Sequence, residues 1–491
     1  MAWFMYVPFV KTTGPEARAN WQRVPLAHAA DADAGGVVAF AVRADLAIQP
    51  ALSALEAYTR PWAGDTLLPY EPSPQRSLEP ELAMRVTIEN PLCRVPVSMI
   101  LDDSTPVVNL SHFWVKLRRQ AGRPTDAIAD DMPVEIPVSF ARKFGEWCAE
   151  HGVKGKFSFV PMPGGLGTID LGLPGFSKAH LDEWIRAAKE IIWPNFDFTP
   201  EMITHCKVVD LSDWTMTDEW EQSEWAAEPK PVEVLAPYIA AALRILRNID
   251  IPAEGVTSPG AFGIKDLGAY GEATLQAQKA VNDNPTPFFF CEVDEEGTPW
   301  PKLYSLNKEK GECCVGIVAG TGDWFAGWEG NNRNAIHSPE MCITEDLRGG
   351  RIPQLIAAGC PAIMVSHWPG FYFQGEQIGF NIFKTVVERI NQLSDIIWMK
   401  TSEIARYWMA RAMVTITPTP DGCRISSPIA CAGFTLRLSP AQPGEWRVNG
   451  APLHPVAECE KLKPNAWTTD DGDVLLSFDL AKGETTIRKV G

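Results

Sequence analysis

The feature that most constrains the fold of this chain is an alternation of apolar and amphipathic segments between residues 95 and 411. Apolar runs of strand length occur at 95–101, 154–162, 201–211, 286–294 and 361–368. Segments with apolar residues at helical spacing occur at 139–152, 178–193, 231–249, 352–359 and 379–395. Apolar strands that alternate with helices indicate a parallel sheet covered by helices. We therefore predict an α/β fold with a (β/α)7–8 barrel-like parallel sheet, with an open doubly wound sheet as the alternative.

The residues on either side of this region have a different character. Residues 1–94 are mixed, include a Pro-rich stretch at 67–82, and are predicted to form an N-terminal extension packed on the barrel. From residue 412 the helical pattern ends, and short alternating runs such as GFTLRLSP and DVLLSFDL are separated by Gly, Pro and Asp turns. This pattern is typical of a small β-sandwich. We predict three parts, with the barrel at 95–411 and the β-sandwich at 412–491.

Charge and cysteine content exclude some classes of function. The formal net charge of −17 disfavours nucleic-acid and anionic-membrane partners, because phosphate groups are bound by basic surfaces. No apolar run of about 18 residues occurs, so no transmembrane helix is expected. The 11 Cys are odd in number and lack CxxC spacing, as in a reduced, cytoplasmic protein. The sequence is compatible with a homo-oligomer.

Chemically active side chains stand at the predicted carboxyl ends of several strands. The first strand ends in VSMILDDS, with Asp102 and Asp103; the third carries His205 and reaches Asp210; the last ends in Ser-His-Trp, with His367. Because active groups of parallel-strand folds gather at this end of the sheet, we expect these residues to lie close together. Carboxylates with imidazoles suit a divalent metal ion with a general base, or a metal-free acid/base pair.

Purely structural explanations compete with this interpretation. An Asp-Asp pair before Ser, Thr and Pro is also ordinary turn chemistry. His205 lies in the apolar run ITHCKVV and could be a hydrogen-bonded core histidine, and Asp210 could cap the turn that follows it.

Four residues are candidates for substrate binding: Trp324, Trp368, Glu376 and Ser258. Trp side chains commonly stack on sugars, and the chain contains 18 of them. Trp324 could instead belong to a surface loop, GTGDWFAGWEGNN, and Glu376 could be the N-terminal acid of a helix, which the helix dipole favours.

The order of these motifs resembles that of the polysaccharide deacetylase superfamily over roughly residues 95–400. ILDDS is similar to the family's strand that ends in Asp-Asp, GVKGKFSFVP to its second strand, and EMITHCKVVDL to its strand with a metal-binding His. GVTSPGAFG is similar to a later Pro-containing segment, and IMVSHW to the last strand, which carries a catalytic His. The resemblance implies a divergent deacetylase-like barrel hydrolase that removes an acyl group from a carbohydrate.

The resemblance also implies a role for individual residues. Asp102 would be the general base that activates water, and His367 would be the general acid that protonates the leaving group. Asp103 and His205 would bind a divalent metal ion, with zinc as the expected ion.

The chain departs from the family pattern at two places. The family's second metal-binding His would fall on Val209, so Asp210, one place further, is the residue expected to replace it. Thr257 and Ser258 stand where the family has an Arg.

Two other functions stay open because of these departures. A glycosidase on a related barrel would use two carboxylates, one from Asp102 or Asp103 and one from Glu292, Asp294 or Glu376. A degenerate barrel would bind carbohydrate without catalysis.

Overall fold

The computed structural model of this chain describes residues 84–125, 132–325, 337–440 and 444–490. The predicted N-terminal extension lies outside the described residues as far as residue 83. In chain order the strands are β1 (Arg85–Ile88), β2 (Val95–Asp102), β3 (Gly155–Ser158), β4 (Phe196–Thr199), β5 (Lys207–Asp210), β6 (Thr215–Trp220), β7 (Gly255–Thr257), β8 (Phe288–Val293), β9 (Lys302–Asn307), β10 (Glu312–Ala319), β11 (Ala362–His367), β12 (Ile396–Trp398), β13 (Thr415–Thr419), β14 (Gly422–Ser427), β15 (Cys431–Ser439), β16 (Glu445–Val448), β17 (Ala451–Pro452), β18 (His454–Pro455), β19 (Ala466–Asp470), β20 (Asp473–Leu480) and β21 (Gly483–Val490). The helices are α1 (Leu110–Gln120), α2 (Val138–Glu150), α3 (Lys178–Ile191), α4 (Val232–Asn248), α5 (Leu267–Asn282), α6 (Pro339–Cys342), α7 (Arg351–Ala357), α8 (Trp368–Tyr372), α9 (Ile378–Ile390) and α10 (Thr401–Met413).

Two sheets contain the parallel strands. The first has the order β11-β2-β3-β4, with β12 beside the start of β2, and all of its pairs are parallel. The second has the order β7-β8-β10-β9, in which only the β9–β10 pair is antiparallel. The prediction of an α/β fold with parallel strands is therefore confirmed.

The two sheets meet at two places. The amide of Thr257 donates to the carbonyl of Pro200 at 2.8 Å, which joins β7 to the end of β4. The amide of Gly320 donates to the carbonyl of Ile363 at 2.7 Å, which joins β10 to β11. Strand pairing is not continuous across these contacts, so the described strands do not form a closed barrel. In place of the predicted barrel-like sheet, the structure has two sheets that contact each other from β4 to β7 and from β10 to β11.

Strand β2 shows how the sequence produces buried layers on both sides of the sheet. Every residue of VPVSMILD is buried. Val97, Met99 and Leu101 pack in the core beneath the helices, whereas Ile100 packs in the inner core with Phe290. Alternate residues of a strand face opposite sides, so a near-continuous apolar run can fill both layers.

Helix α10 lies across the amino ends of these strands. The amide and hydroxyl of Ser402 donate to the buried carboxylate of Asp197 at 2.6 and 2.8 Å. Ile404 of the same helix belongs to the inner core. The opposite, carboxyl ends of the strands are left to form a site. No helix of the described part is long and apolar enough to cross a membrane.

The C-terminal part contains two further sheets, of order β1-β15-β20-β19-β18 and β13-β14-β21-β16-β17. Their pairs are antiparallel except for the short β18–β19 pair. Trp446 and Ile487 of one sheet and Phe434 and Phe478 of the other belong to the same core cluster, as in a β-sandwich.

Strand β1 lies in this C-terminal part. It falls within the range 1–94 predicted as an N-terminal extension, and it pairs with β15 in antiparallel register. Just after it, Arg437 Nε donates to Glu89 Oε1 at 2.8 Å. The first described strand therefore belongs to a sheet of the C-terminal part.

The region around the predicted strand 201–211 also differs. β4 ends at Thr199, and the chain then forms an irregular loop before β5. Met202 and His205 in this loop have φ angles of 45° and 59°, in the left-handed region that a strand cannot contain. His205 is therefore presented by a loop rather than by a strand.

Candidate active site

A cavity of about 340 Å³ lies at the carboxyl ends of the parallel strands. Its lining includes five carboxylates and two imidazoles, from Asp102, Asp103, Glu201, Glu295, Asp323, His205 and His367. The predicted convergence of polar residues from separate strand ends is thus present in the structure for Asp102, Asp103, His205 and His367.

The first strand delivers both of its adjacent carboxylates to this cavity. Asp102 is the last residue of β2 and pairs in register with His367, the last residue of β11. Asp103 follows with a φ of 56°, in the left-handed region. In an extended strand the next side chain would point to the opposite face. The left-handed turn instead lets both Asp102 and Asp103 line the cavity, and Asp tolerates this conformation better than most residues do.

Asp103, Glu201 and His205 form a buried group that could hold a metal ion. One ligand atom from each residue lies within 4.8 Å of the others. His205 Nε2 is 2.7 Å from Asp103 Oδ1 and 3.3 Å from Glu201 Oε1. These atoms are close enough for one ion to contact all three, and carboxylate oxygens with an imidazole are common metal ligands.

The backbone fixes the position of Glu201 and His205. Glu201 Oε2 accepts a hydrogen bond of 2.8 Å from the Asp103 amide, which leaves Oε1 toward the imidazole. The Glu201 backbone also forms an isolated parallel bridge with Thr257. The His205 amide donates to Glu221 Oε2 at 2.7 Å.

Glu221 anchors the loop that carries His205. Its Oε1 accepts from the amides of Ile203 and Thr204 at 3.1 Å each and from the hydroxyl of Tyr238 at 2.5 Å. Burial raises the pKa of Glu221 to about 7, although the hydrogen bonds from Tyr238 and from the backbone amides lower it. Glu221 therefore acts on the site through the backbone of His205.

The donor set fits a divalent metal ion. Asp103 and Glu201 are both buried, and an unpaired buried carboxylate is energetically unfavourable. Asp103 Oδ1 and His205 Nδ1 have no hydrogen-bond partner of normal geometry among the described residues. Burial opposes protonation of His205, but the charges of Asp103 and Glu201 outweigh it and raise its pKa well above the usual range. A cation at this position would balance the same two charges.

Asp102 pairs with the buried ammonium of Lys156. Lys156 is fully buried, forms an ion pair with Asp102 Oδ1, and donates to Ser158 Oγ at 2.8 Å and to Thr257 Oγ1 at 2.6 Å. Burial raises the pKa of Asp102, and the charge of Lys156 opposes that shift. Lys156 thus favours the ionised form of a carboxylate that lies beside two other carboxylates.

His367 is held by Asp323. His367 Nδ1 is 2.6 Å from Asp323 Oδ2, and Ser366 Oγ donates to Asp323 Oδ1 at 2.7 Å. Burial would lower the pKa of His367, but the charge of Asp103, the hydrogen bond and charge of Asp323, and the charge of Asp102 raise it to about 10. Although burial opposes ionisation of Asp323, its pKa is lowered by the hydrogen bond and charge of His367. The pair is therefore an imidazolium and a carboxylate at neutral pH.

Asp210 does not join the group of metal-binding residues. It ends β5, is exposed, and its Oδ1 accepts from the amide of Ser212 at 2.9 Å, an ordinary turn contact. The hydrogen bonds from Ser212 lower the pKa of Asp210. Asp210 was predicted to be the third ligand; in the structure, Glu201 rather than Asp210 lies beside Asp103 and His205.

The four predicted substrate-binding residues have different environments. Trp368 is fully buried and packs on Phe140 at a centroid distance of 4.8 Å, so it belongs to the core and cannot stack on a sugar. Trp324 is half-buried against the same core, and Glu376 is exposed between α8 and α9; neither lines the cavity. Ser258 does line the cavity, and its hydroxyl donates to that of Tyr270 at 3.0 Å.

The second carboxylates that a glycosidase would require also lie elsewhere. Glu292 Oε1 accepts from Lys302 Nζ at 2.6 Å, and Asp294 Oδ1 accepts from the amide of Gly297 at 2.7 Å. Neither residue lines the cavity. The structure therefore provides no support for a glycosidase pair built from these residues.

Three residues of the site were not predicted: Glu201, Lys156 and Asp323. Glu201 stands four residues before His205 in EMITH, whereas the third ligand was predicted five residues after it, at Asp210. Lys156 lies two residues before Ser158 in the strand GKFS, so its inward position follows from strand alternation. Asp323 stands next to Trp324 in the segment GTGDWFAGWEGNN, and no sequence signal links it to His367.

Comparisons with known proteins give distant structural likenesses. No family model matches the chain, and no curated protein matches it. A probable polysaccharide deacetylase from Pseudomonas aeruginosa PAO1 aligns with a TM-score of 0.38 and 10% identity, over 64% of this chain and 91% of that chain. PuuE allantoinase aligns with a TM-score of 0.37 and 10% identity, over 66% and 93%. A Nostoc punctiforme debranching enzyme aligns with a TM-score of 0.28 and 9% identity, over 82% and 100%. Likenesses this distant identify neither a substrate nor a catalytic residue of this chain.

Proposed function

We propose that this protein is a metal-dependent hydrolase that removes an acyl group from a carbohydrate. The observation that carries the proposal is the arrangement of the cavity. A buried group that can hold a metal ion, Asp103 with Glu201 and His205, lies beside a carboxylate, Asp102, and an imidazolium, His367. A general base and a general acid at one metal-binding cavity suit hydrolysis of an acyl group.

The metal ion would be held by Asp103, Glu201 and His205, with zinc as the expected ion. When bound, it supplies Lewis acidity, which polarises the acyl carbonyl and acidifies water.

Asp102 is the proposed general base. It is at the end of β2, lines the cavity, and is kept toward its ionised form by Lys156. In the hydrolysis it accepts one proton from the attacking water as the new carbon–oxygen bond forms. Because Lys156 is fully buried behind it, the ammonium can stabilise Asp102 without contacting substrate.

His367 is the proposed general acid. Its pKa of about 10 keeps it protonated near neutral pH, so it has a proton to donate. It gives this proton to the sugar oxygen or nitrogen as the bond to the acyl carbon breaks. Asp323 holds Nδ1, which leaves Nε2 as the nitrogen that can donate into the cavity. The products are a carboxylic acid and the deacylated sugar.

The substrate class is supported by the order of the motifs rather than by the cavity. The ILDDS, GKFSFVP and IMVSHW segments occur in the order of the polysaccharide deacetylase superfamily. Asp102 and His367 stand at the positions that this resemblance gives to base and acid, and they lie in register on neighbouring strands.

The proposal is tested by release of acetate from acetylated amino-sugar oligomers. The full chain is assayed after chelation and after addition of a stoichiometric divalent metal. We expect metal-dependent release, and a fall of about 10²–10⁴-fold in kcat for Asp102→Asn and for His367→Ala.

Asp210→Asn is the matched control, because this exposed carboxylate was a predicted ligand that the structure places outside the cavity. It should retain full activity and metal content. Activity that is indifferent to chelation, or that survives in both Asp102→Asn and His367→Ala, would contradict the proposal.

A further inference from the structure

We propose that Glu201 makes the metal site rich in oxygen ligands, so that it accepts manganese as well as zinc. Its preference for zinc would be smaller than that of a site with two imidazoles. The inference rests on the proposed function only in taking Asp103, Glu201 and His205 as ligands. It needs no substrate.

The composition of the group is the first observation. Among the described residues it contains two carboxylates and one imidazole, and no thiolate. With a neutral imidazole the three ligands carry a formal charge of about −2. Carboxylate oxygens suit magnesium, calcium and manganese, whereas imidazole suits zinc, copper and iron.

The rigid placement of Glu201 is the second observation. Its side chain is held at Oε2 by the Asp103 amide at 2.8 Å, and Oε1 lies 3.3 Å from His205 Nε2. Glu201 is 1% exposed, and its backbone bridges to Thr257. These contacts hold the carboxylate beside the imidazole. Oε1 is the oxygen presented to an ion.

These two observations determine the direction of selectivity. Zinc binds more tightly than manganese at most nitrogen and oxygen sites, but the difference depends on the donors. An imidazole at position 201 would favour zinc, whereas the carboxylate adds charge that attracts both ions. Replacing an imidazole by a carboxylate therefore reduces the difference between the affinities of the site for zinc and for manganese.

The test compares the full-length wild-type chain with Glu201→His. Both proteins are made metal-free and titrated with Mn²⁺ alone, and free Mn²⁺ is measured by electron paramagnetic resonance. Zn²⁺ is then added to displace it. We expect the wild-type chain to bind one Mn²⁺, and Glu201→His to raise the preference for zinc over manganese by about tenfold or more.

Two further variants make the result decisive. Glu295→Gln removes an exposed carboxylate that lines the same cavity outside the ligand group, and it should leave the preference unchanged. Glu201→Gln keeps the size and an oxygen donor but removes the charge. It should weaken Mn²⁺ binding more than Zn²⁺ binding, even if Glu201→His does not fold.

The outcomes separate this inference from the proposed function. An unchanged zinc preference in Glu201→His, or an unchanged Mn²⁺ affinity in Glu201→Gln, overturns the inference and leaves a metal-dependent hydrolase intact. Metal content that is unaffected by Asp103→Asn places the ion elsewhere, and then this inference and the proposed metal site fail together.

Discussion

The carboxylate of Asp323 lies 2.6 Å from Nδ1 of His367, at the carboxyl end of β11. Asp323 is not adjacent to His367 in sequence; the two are brought together by an isolated bridge between Asp323 and Val365. The contact fixes which ring nitrogen faces the cavity and supplies part of the negative charge that keeps the imidazole protonated.

Substitution Asp323→Asn should therefore lower kcat by about 10²-fold or more. The raised pKa of His367 keeps its imidazole protonated at neutral pH. Activity that requires this proton is therefore lost as pH rises through the pKa of His367. Removing the Asp323 charge should move the basic limb of the kcat/KM profile to lower pH. The measurement is a pH–rate profile of the metal-loaded protein. Ser366→Ala, which removes the Ser366 hydrogen bond to Asp323 and leaves the contact with His367, should leave the limb nearly in place. A limb that does not move in Asp323→Asn would show that His367 is not the acid.

Substitution Lys156→Met should destabilise the protein, because it leaves Asp102 buried without its cation. Removing one partner of a buried ion pair typically costs about 3–5 kcal/mol. Combining it with Asp102→Asn should recover part of the loss, since the unpaired charge is then gone. Urea unfolding of the two single variants and the double variant measures this coupling. Additive effects would mean that the pair contributes nothing to stability.

Asp197 should make stability fall as pH rises between about 4 and 7. Burial raises its pKa to about 7, against the hydrogen bonds from Ser402. The folded state therefore holds the proton more tightly than the unfolded state, whose Asp pKa is about 3.9. The stabilisation is complete below the unfolded pKa and is lost as pH rises through the folded one. The difference corresponds to about 3–4 kcal/mol.

Asp197→Asn should remove this contribution, so that its free energy of unfolding declines less than that of the wild type from pH 4 to pH 7. Denaturant unfolding of the metal-free proteins at several pH values measures it. Asp250→Asn, at a side chain that is 94% exposed, is the matched control. Parallel pH curves for Asp197→Asn and wild type would contradict the prediction.

Trp368→Ala should affect stability rather than substrate binding. The ring is enclosed by Phe140, Phe144 and Phe157, so its removal leaves a cavity in the core. Losses of about 3–5 kcal/mol are typical for such a change. KM for the acetylated oligomer should stay unchanged where the variant is folded. A raised KM with unchanged stability would restore Trp368 as a substrate-binding residue.

Local patterns predicted part of the parallel-strand region, whereas helices α1 and α5 and strands β4 and β10 were not predicted. The predicted helix at 178–193 is observed as Lys178–Ile191, and the predicted strand at 361–368 as Ala362–His367. These segments have strong periodicity and are long enough to bury one face. The 201–206 loop was predicted as a strand because its residues are as apolar as those of a strand. The His205 amide donates to Glu221, and sequence periodicity does not reveal this contact.

The site was predictable where a residue ends a strand and not where it acts from a loop. Asp102 and His367 end neighbouring strands. Because active groups gather at the carboxyl ends of parallel strands, the sequence predicted that both would lie at the site. Glu201 is held in place by the Asp103 amide, a contact over 98 residues, and Asp323 reaches His367 over 44 residues. Such contacts depend on how the two sheets meet, which no single segment specifies.

Strand β1 has a consequence for how the chain is made. It emerges from the ribosome before the whole parallel-strand region, while its partner β15 emerges near the end; the neighbouring contact from Arg437 to Glu89 spans 348 residues. Throughout that interval β1 is an unpaired strand that could associate with other nascent chains. Strand β15 therefore provides the pairing of the first described strand, and a chain that stalls before residue 431 leaves β1 unpaired and accessible to chaperones and proteases.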